Sequence, residues 1–263
     1  MVSQLFDISG KTALVTGGSR GIGLMIARGF VQNGAKVYIS SRKAEACERA
    51  AAGLSKYGTC IPLAHDLGSM AEVKALAEDI KAREKKLDIL VNNAGAAWAE
   101  PFETFSEEGW DKLMNVNLKA IFFLSQALLP ELKAAGTADD PARIVNIGSI
   151  DGILQPQLES YAYSASKAAV HHLTHHLAKH LARDQINVNA IAPGPFETKM
   201  LAPVLATARK AIESSVPRGR IGEDDDMIGA AIFFCSKASS FITGQVLAVD
   251  GGIMAAAYMQ QPL

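Results

Sequence analysis

Short apolar runs alternate with longer amphipathic stretches along this chain, and the alternation predicts β-strands separated by α-helices. Lys11-Thr12-Ala13-Leu14-Val15-Thr16 opens the series. Further strand signals lie at Lys36 to Ser40, Thr59 to Leu63, Ile89 to Val91, Arg143 to Ile147, Asn187 to Ala192 and Val246 to Val249. Runs such as Ile89-Leu90-Val91 are apolar at every position rather than at every second one, as expected of strands covered on both faces. Seven strands with helices between them predict an α/β fold built on a doubly wound, parallel sheet. In such sheets ligands bind beyond the carboxyl ends of the strands.

A length of 263 residues could divide into two small domains, but no long linker interrupts the alternation, so one domain over 1–263 is expected. A hydrophobic share of 49% is enough to cover a sheet on both faces. The formal charge of −1 creates no field that would draw in nucleic acid or an anionic membrane. Cys47, Cys60 and Cys235 are far apart and lack metal-ligand spacing, which predicts buried, reduced thiols. Met1 to Gly10 lacks the charged-then-apolar pattern of a leader, and no apolar run approaches the roughly 18 residues of a membrane span. A cytoplasmic protein is the expectation.

Chemistry enters where strands end. The first strand runs into Gly17-Gly18-Ser19-Arg20-Gly21-Ile22-Gly23, followed by helical periodicity from Leu24 to Phe30. Strand, glycine turn and helix together form a phosphate cradle, because free N–H groups and the helix dipole attract negative charge. The spacing Gly-x-x-x-Gly-x-Gly differs from the commoner Gly-x-Gly-x-x-Gly, and a glycine-rich turn without a ligand is the competing reading. Tyr163-Ser164-Ala165-Ser166-Lys167 sets a phenol and an amine four residues apart on one helical face. A phenol ionises near ~10 in water, so trading protons near neutrality calls for a positive charge beside it, which Lys167 can provide. Tyr161, six residues from Lys167, would point elsewhere.

With Asn92-Asn93-Ala94-Gly95, Ser149, Pro193-Gly194-Pro195-Phe196-Glu197-Thr198 and Asp250-Gly251-Gly252 in the same order, the chain resembles the short-chain dehydrogenase/reductase superfamily from Thr16 nearly to its end. Within it the chain is most similar to the 3-oxoacyl-thioester reductases, including the branch associated with rhamnolipid synthesis. The resemblance implies a Rossmann-type fold and the catalytic residues Asn117, Ser149, Tyr163 and Lys167. Tyr163 is then the general acid of ketone reduction, Lys167 favours the phenolate and holds the nicotinamide ribose, and Ser149 bonds the substrate oxygen. Asn117 seats a water against the lysine; Asn115 is the neighbour that could be mistaken for it. Cofactor contacts implied are Gly17, Ser19, Arg20, Gly21, Ile22, Gly23, Ser41, Arg42, Asp66, Leu67, Asn93, Gly95, Tyr163, Lys167, Pro193, Gly194, Phe196 and Thr198.

An acidic residue at the end of the second strand usually accepts the ribose of NAD, whereas Val37-Tyr38-Ile39-Ser40-Ser41-Arg42 offers serines and an arginine. Arg42 and Arg20 can share a 2′-phosphate, which makes NADP(H) the expected cofactor. Pro195 to Pro217 lies where the superfamily keeps a substrate lid, and Met200, Leu201, Val204 and Leu205 would line its inner face; an ordinary packed helix is the alternative. Ala134 to Pro141 reads as a surface loop after a long helix. Glu223-Asp224-Asp225-Asp226 reads as helix-capping charge rather than a metal site. Five of six histidines fall in His171 to His180, with His172, His176 and His180 in one row and His171 with His175 in another. An interface or solvated row is preferred over metal binding, and the expected assembly is a homotetramer or homodimer.

The expected function is NADP(H)-dependent reduction of a 3-oxoacyl thioester, with an acyl carrier protein as one possible partner. A small or cyclic ketone reductase, or secondary-alcohol dehydrogenase, shares the same residues. A nucleotide-binding regulator without catalysis is disfavoured by the intact catalytic set.

Overall fold

The structure, a computed structural model, describes residues 2–156, 158–199 and 201–259. Its seven strands are β1 Thr12–Thr16, β2 Lys36–Ser41, β3 Cys60–Ala64, β4 Ile89–Asn92, β5 Ala142–Ile147, β6 Ile186–Pro193 and β7 Val246–Val249. They form one parallel sheet in the order β3-β2-β1-β4-β5-β6-β7. Each lies within one residue of the segment that the apolar pattern marks at either end. Helices α1 Val2–Leu5, α2 Gly21–Gln32, α3 Ala44–Leu54, α4 Met70–Arg83, α5 Glu107–Met114 and α6 Ala120–Ala127 come from the first half of the chain. The second half contributes α7 Leu129–Ala135, α8 Tyr161–Leu181, α9 Ala202–Ser215, α10 Asp224–Cys235 and α11 Ile253–Met259.

Both sheet faces are covered, which explains the unbroken apolar strands. On one face Ala13, Val15, Val37 and Ile39 pack with Ile26 and Phe30 of α2 and with Met227 and Phe234 of α10. On the other, Leu14, Leu90, Ile144 and Val188 pack with Leu76 and Ile80 of α4 and Leu124 of α6. Successive strand residues therefore feed opposite cores. The strand order reverses between β1 and β4, and that switch point opens a crevice at the strands' carboxyl ends.

The long helix expected before β5 is broken. A π segment, Asn115–Lys119, separates α5 from α6, and α7 starts anew with Pro130 in its first turn. Pro130 has no N–H to give to a continuing helix. The polar loop beyond α7 is tied down: Asp140 pairs with Lys11 at 2.7 Å and with the buried Arg143 at 3.2 Å. Among the described residues no single helix is long and apolar enough to cross a membrane.

Candidate active site

At the end of β1, Gly17 and Gly21 adopt φ of +67° and +53°, values that side-chain-bearing residues rarely take. A Cβ on Gly23 would fall 2.3 Å from Asn93 Nδ2 and 2.5 Å from the Gly17 oxygen, so only glycine lets α2 begin this close to the loop. Arg20, at the N-cap of α2, makes no side-chain capping bond. The first turn of α2 thus has no side-chain cap competing for its N–H groups, as an anion cradle requires. Asn93 braces the cradle from β4, donating to the oxygens of Thr16 at 2.8 Å and Gly17 at 3.3 Å. Thr16 Oγ1 in turn accepts the N–H groups of Asn93 and Ala94, each at 2.9 Å. Thr16 has no local signal of this role: the strand it ends reads only as apolar.

Beside the loop, Ser19 Oγ donates to Ser41 Oγ at 2.9 Å, which joins the glycine turn to the end of β2. Arg20 and Arg42 are exposed there and form no ion pair among the described residues. Asp66 is exposed with Oδ1 accepting from the Gly68 N–H at 3.1 Å, while Leu67 is buried. Ile22 is partly buried in the first turn of α2, and packs against the core. An uncompensated pair of guanidiniums above a helix N-terminus and a positive-φ glycine loop is the donor set a phosphorylated dinucleotide needs.

The second cluster is built by α8, the end of β5 and the π segment. Lys167 is buried, and its Nζ donates to the Ile147 oxygen at 2.8 Å and lies 5.7 Å from the centre of the Tyr163 ring. Asn117 is fully buried: Oδ1 accepts the Ala96 N–H at 2.9 Å, and Nδ2 donates to the Ala96 oxygen and to Ser166 Oγ, both at 3.0 Å. Ser166 Oγ donates to the Tyr163 oxygen at 2.7 Å. A Cβ on Gly95 would lie 3.1 Å from Asn117 Oδ1 and 3.8 Å from Lys167 Nζ, so this glycine borders both. Tyr161 is exposed, with its hydroxyl donating to Glu159 at 2.9 Å, away from the cluster.

Burial pushes the Tyr163 phenol up to about 12; a hydrogen bond with Ser149 pulls against that shift and the Asp151 carboxylate adds to it. Burial likewise pushes the Lys167 amine down to about 8, and its Nζ donates to the Ile147 oxygen. Desolvation is the largest cause of both shifts.

Pro193 ends β6, and a Cβ on Gly194 would fall 2.8 Å from Asp250 Cα, so that glycine admits the Asp250-Gly251-Gly252 turn. The Phe196 ring is buried, and a Cβ on Gly222 would lie 2.5 Å from it. The Thr198 methyl would sit 3.3 Å from a Cβ on Gly21, so the segment after β6 comes up against the phosphate loop. In α9, which kinks at Ala208, Leu205 is buried, Leu201 partly buried and Val204 exposed; Met200 lies outside the described residues. Val204 thus departs from the apolar inner face expected of it. Arg209 joins α9 to Glu197 at 3.0 Å and to Glu213 at 3.5 Å.

Glu223 and Asp226 form a capping box on α10, and Arg220 pairs with Asp226 at 2.6 Å, as a capping rather than metal-binding role predicts. Among the described residues no group of three or more metal-ligating side chains converges. His172, His175, His176 and His180 are exposed, but His171 is not part of a solvated row. Its ring fills the space beside Gly148 and Gly152, the glycines that flank Ser149: Cβ atoms there would lie 2.0 Å from Nε2 and 2.9 Å from Cε1. Burial, then the charges of Lys167 and His175, push His171 down to about 4.

That shift predicts acid sensitivity. Below pH 6.5 the unfolded chain binds a proton at this position that the folded protein refuses until about pH 4. The unfolded state holds more protons in that window, so stability falls as pH falls through it and is untouched above. The full effect is about 3 kcal/mol. Urea unfolding at pH 7 and pH 4.5 should show a steeper loss for the wild type than for His171→Leu; equal slopes would remove the assignment.

A family model described as Enoyl-(Acyl carrier protein) reductase matches residues 17–254. The rhamnolipids biosynthesis 3-oxoacyl-(acyl-carrier-protein) reductase of Pseudomonas aeruginosa is 44% identical over 249 residues, covering 94% of this chain and 97% of that protein. The solved Pseudomonas aeruginosa RhlG/NADP active-site complex has a TM-score of 0.92 at 44% identity, over 95% of this chain and 98% of that one. A gluconate 5-dehydrogenase from Burkholderia cenocepacia, solved with NADP and tartrate, has a TM-score of 0.90 at 35% identity, over 97% and 99% of the two chains.

Proposed function

The chain belongs to the short-chain dehydrogenase/reductase family, and we propose that within it the protein uses NADP(H) to reduce the 3-oxo group of an acyl thioester. As a member it is an NAD(P)-dependent oxidoreductase acting on CH–OH groups. The observation that carries the reading is the juxtaposition of Tyr163 with Ser149 and with Lys167, whose Nζ lies 5.7 Å from the centre of the phenol ring, and with them the positive-φ glycine loop that Arg20 and Arg42 flank. A protonated phenol is the form that reduction consumes.

Gly17, Ser19, Gly21, Ile22 and Gly23 would hold the pyrophosphate, and Arg20, Ser41 and Arg42 the 2′-phosphate. Asp66 and Leu67 would meet the adenine, and Gly95, Pro193, Gly194, Phe196 and Thr198 the nicotinamide half, with Asn93 acting through the loop it braces. When bound, NADPH supplies a hydride to the carbonyl carbon. The hydroxyls of Ser149 and Tyr163 hold the carbonyl oxygen between them; as negative charge gathers there, Ser149 stabilises it and Tyr163 gives it a proton. Lys167 favours the phenolate left behind and holds the ribose. Asn117, locked to Ala96 and Ser166, keeps the π segment against Lys167 and seats the water through which the proton is replaced.

The substrate class follows the relative acting on 3-oxoacyl carrier-protein thioesters. Residues 195–217 are read as the lid of the single domain, with Leu201 and Leu205 on its apolar side, and an acyl carrier protein as the partner that delivers the chain. A small-ketone or sugar-acid reductase is the second reading, favoured by the gluconate dehydrogenase that covers nearly the whole chain. A series of 3-oxoacyl-CoA substrates measured beside a compact ketone separates the two. At about 0.8 kcal/mol per methylene, each added carbon should raise kcat/KM roughly fourfold until the lid is filled. A flat profile with faster reduction of the ketone would select the second reading.

Exposed Trp110, Phe122 and Phe123 on α5 and α6, with the exposed histidines of α8, are read as faces of a homodimer or homotetramer. Buried free thiols at Cys47, Cys60 and Cys235 fit a reducing, cytoplasmic setting.

A further inference from the structure

Among the titratable side chains around Ser149 and Tyr163, Asp151 has no part in the chemistry proposed above. It lies on the short 3-10 turn Ile150–Gly152 that follows Ser149, and its N–H donates to Ser149 Oγ at 3.1 Å. The turn is clamped onto α8. A Cβ on Gly152 would fall 2.7 Å from the Lys167 carbonyl carbon and the Ala168 nitrogen, and 2.9 Å from the His171 ring. The turn thus packs directly on α8, and the negative charge of Asp151 adds to the upward shift of the Tyr163 phenol.

Asp151 is partly buried, and among the described residues its carboxylate accepts no hydrogen bond and joins no ion pair. The nearest candidate partner on α8, Lys167, directs its Nζ at the Ile147 oxygen instead. His171, the other basic group against the turn, is held neutral by burial over ordinary pH. Burial pushes the Asp151 carboxyl above its ordinary range, and no cation among the described residues offsets that cost, so its ionised form is an uncompensated charge next to Ser149.

We propose that Asp151 is a specificity-determining residue: its carboxylate admits carbonyl compounds that are neutral near the reacting carbon and turns away those that carry their own carboxylate there. The inference rests on Ser149 and Tyr163 as the groups that hold the carbonyl, and it deepens the substrate reading. A 3-oxoacyl thioester has no charge within several bonds of its 3-oxo group, whereas a keto sugar acid does. A ligand carboxylate close to that of Asp151 in a partly desolvated site disfavours binding on the order of ten- to a hundredfold.

Ethyl acetoacetate and acetoacetate share one reacting 3-oxo group and differ by a carboxylate charge. With NADPH, wild type should prefer the ester, and Asp151→Asn should raise kcat/KM for acetoacetate relative to the ester by at least about tenfold. Asp151→Glu should keep the preference, and Asp151→Ala replaces the asparagine variant if that one fails to fold. The same ratio is read without turnover by calorimetric binding of both compounds to NADP-loaded Tyr163→Phe protein, with and without Asp151→Asn. An unchanged ratio overturns the proposal, in turnover or in binding. If long-chain thioesters are reduced while the ratio stays flat, Asp151 loses its role and the substrate reading stands. If no thioester is reduced but the ratio shifts, the reverse holds.

Discussion

Tyr163→Phe should lower turnover by roughly three orders of magnitude while leaving NADPH binding nearly intact. The substitution removes one oxygen and keeps the ring, so the packing of α8 and the position of Lys167, 5.7 Å from the ring centre, are conserved. What disappears is a proton donor that burial keeps protonated and neutral. General acids of this kind contribute about a hundred- to ten-thousandfold, and here no other acid stands ready. Ser149 cannot replace the phenol without itself becoming an alkoxide, and Lys167 donates to Ile147. The measurement is NADPH oxidation under single-turnover conditions, paired with a fluorescence titration of NADPH binding. Turnover within tenfold of wild type would mean that another group protonates the product. A loss of binding as large as the loss of rate would mean that Tyr163 serves the cofactor rather than the chemistry.

The sheet was legible because its physics is local. A strand buried on both faces must be apolar at each position, and a parallel neighbour requires a helix between, so the runs at Thr12–Thr16 and Val246–Val249 declare themselves in sequence. What stayed hidden involves residues whose meaning depends on distant partners. Arg143 belongs to an apolar run, yet it is fully buried with Nη2 donating to the Ser236 oxygen at 2.9 Å, a contact 93 residues away. The π segment at Asn115–Lys119 leaves no mark in composition. It widens the helix where Asn117 must reach Ala96 and Ser166 together, and such bulges gather at functional sites.

Within the site, the helical spacing that joins Tyr163 to Lys167 also joins Lys167 to His171, and periodicity alone cannot say which face is wet. The two glycines flanking Ser149 decide it, by leaving the space that the His171 ring fills. The same limit applies to the electrostatics. Four-residue spacing correctly sets amine and phenol on one face, but the balance between attraction and desolvation depends on how deeply each is buried. Here burial dominates both, with the phenol near 12 and the amine near 8. Asp151 carries no sequence signal for a related reason: a lone acidic residue in a loop forms no motif, and its proposed role comes from the turn that sets it beside Ser149.

Arg42→Asp should weaken NADPH by about ten- to a hundredfold and narrow or invert the preference over NADH. The end of β2 lacks a carboxylate for a ribose hydroxyl, and Ser41 is held by Ser19 at 2.9 Å, which keeps the two loops a fixed distance apart. Arg20 and Arg42 extend from those loops without ion-pair partners among the described residues. Like charges so placed repel each other until an anion arrives between them, so a 2′-phosphate gains from both while a hydroxyl gains from neither. Each charge-assisted contact is worth roughly 1.5–3 kcal/mol, which sets the expected loss. Because both side chains are exposed, salt should erode the difference, and the low end applies at physiological ionic strength. The check is the ratio of kcat/KM for NADPH and NADH in wild type and variant at two salt concentrations. Should the wild type prefer NADH, the reading of both arginines fails together, since neither has another anion to hold; should only the variant's ratio stay unchanged, Arg20 alone carries the phosphate.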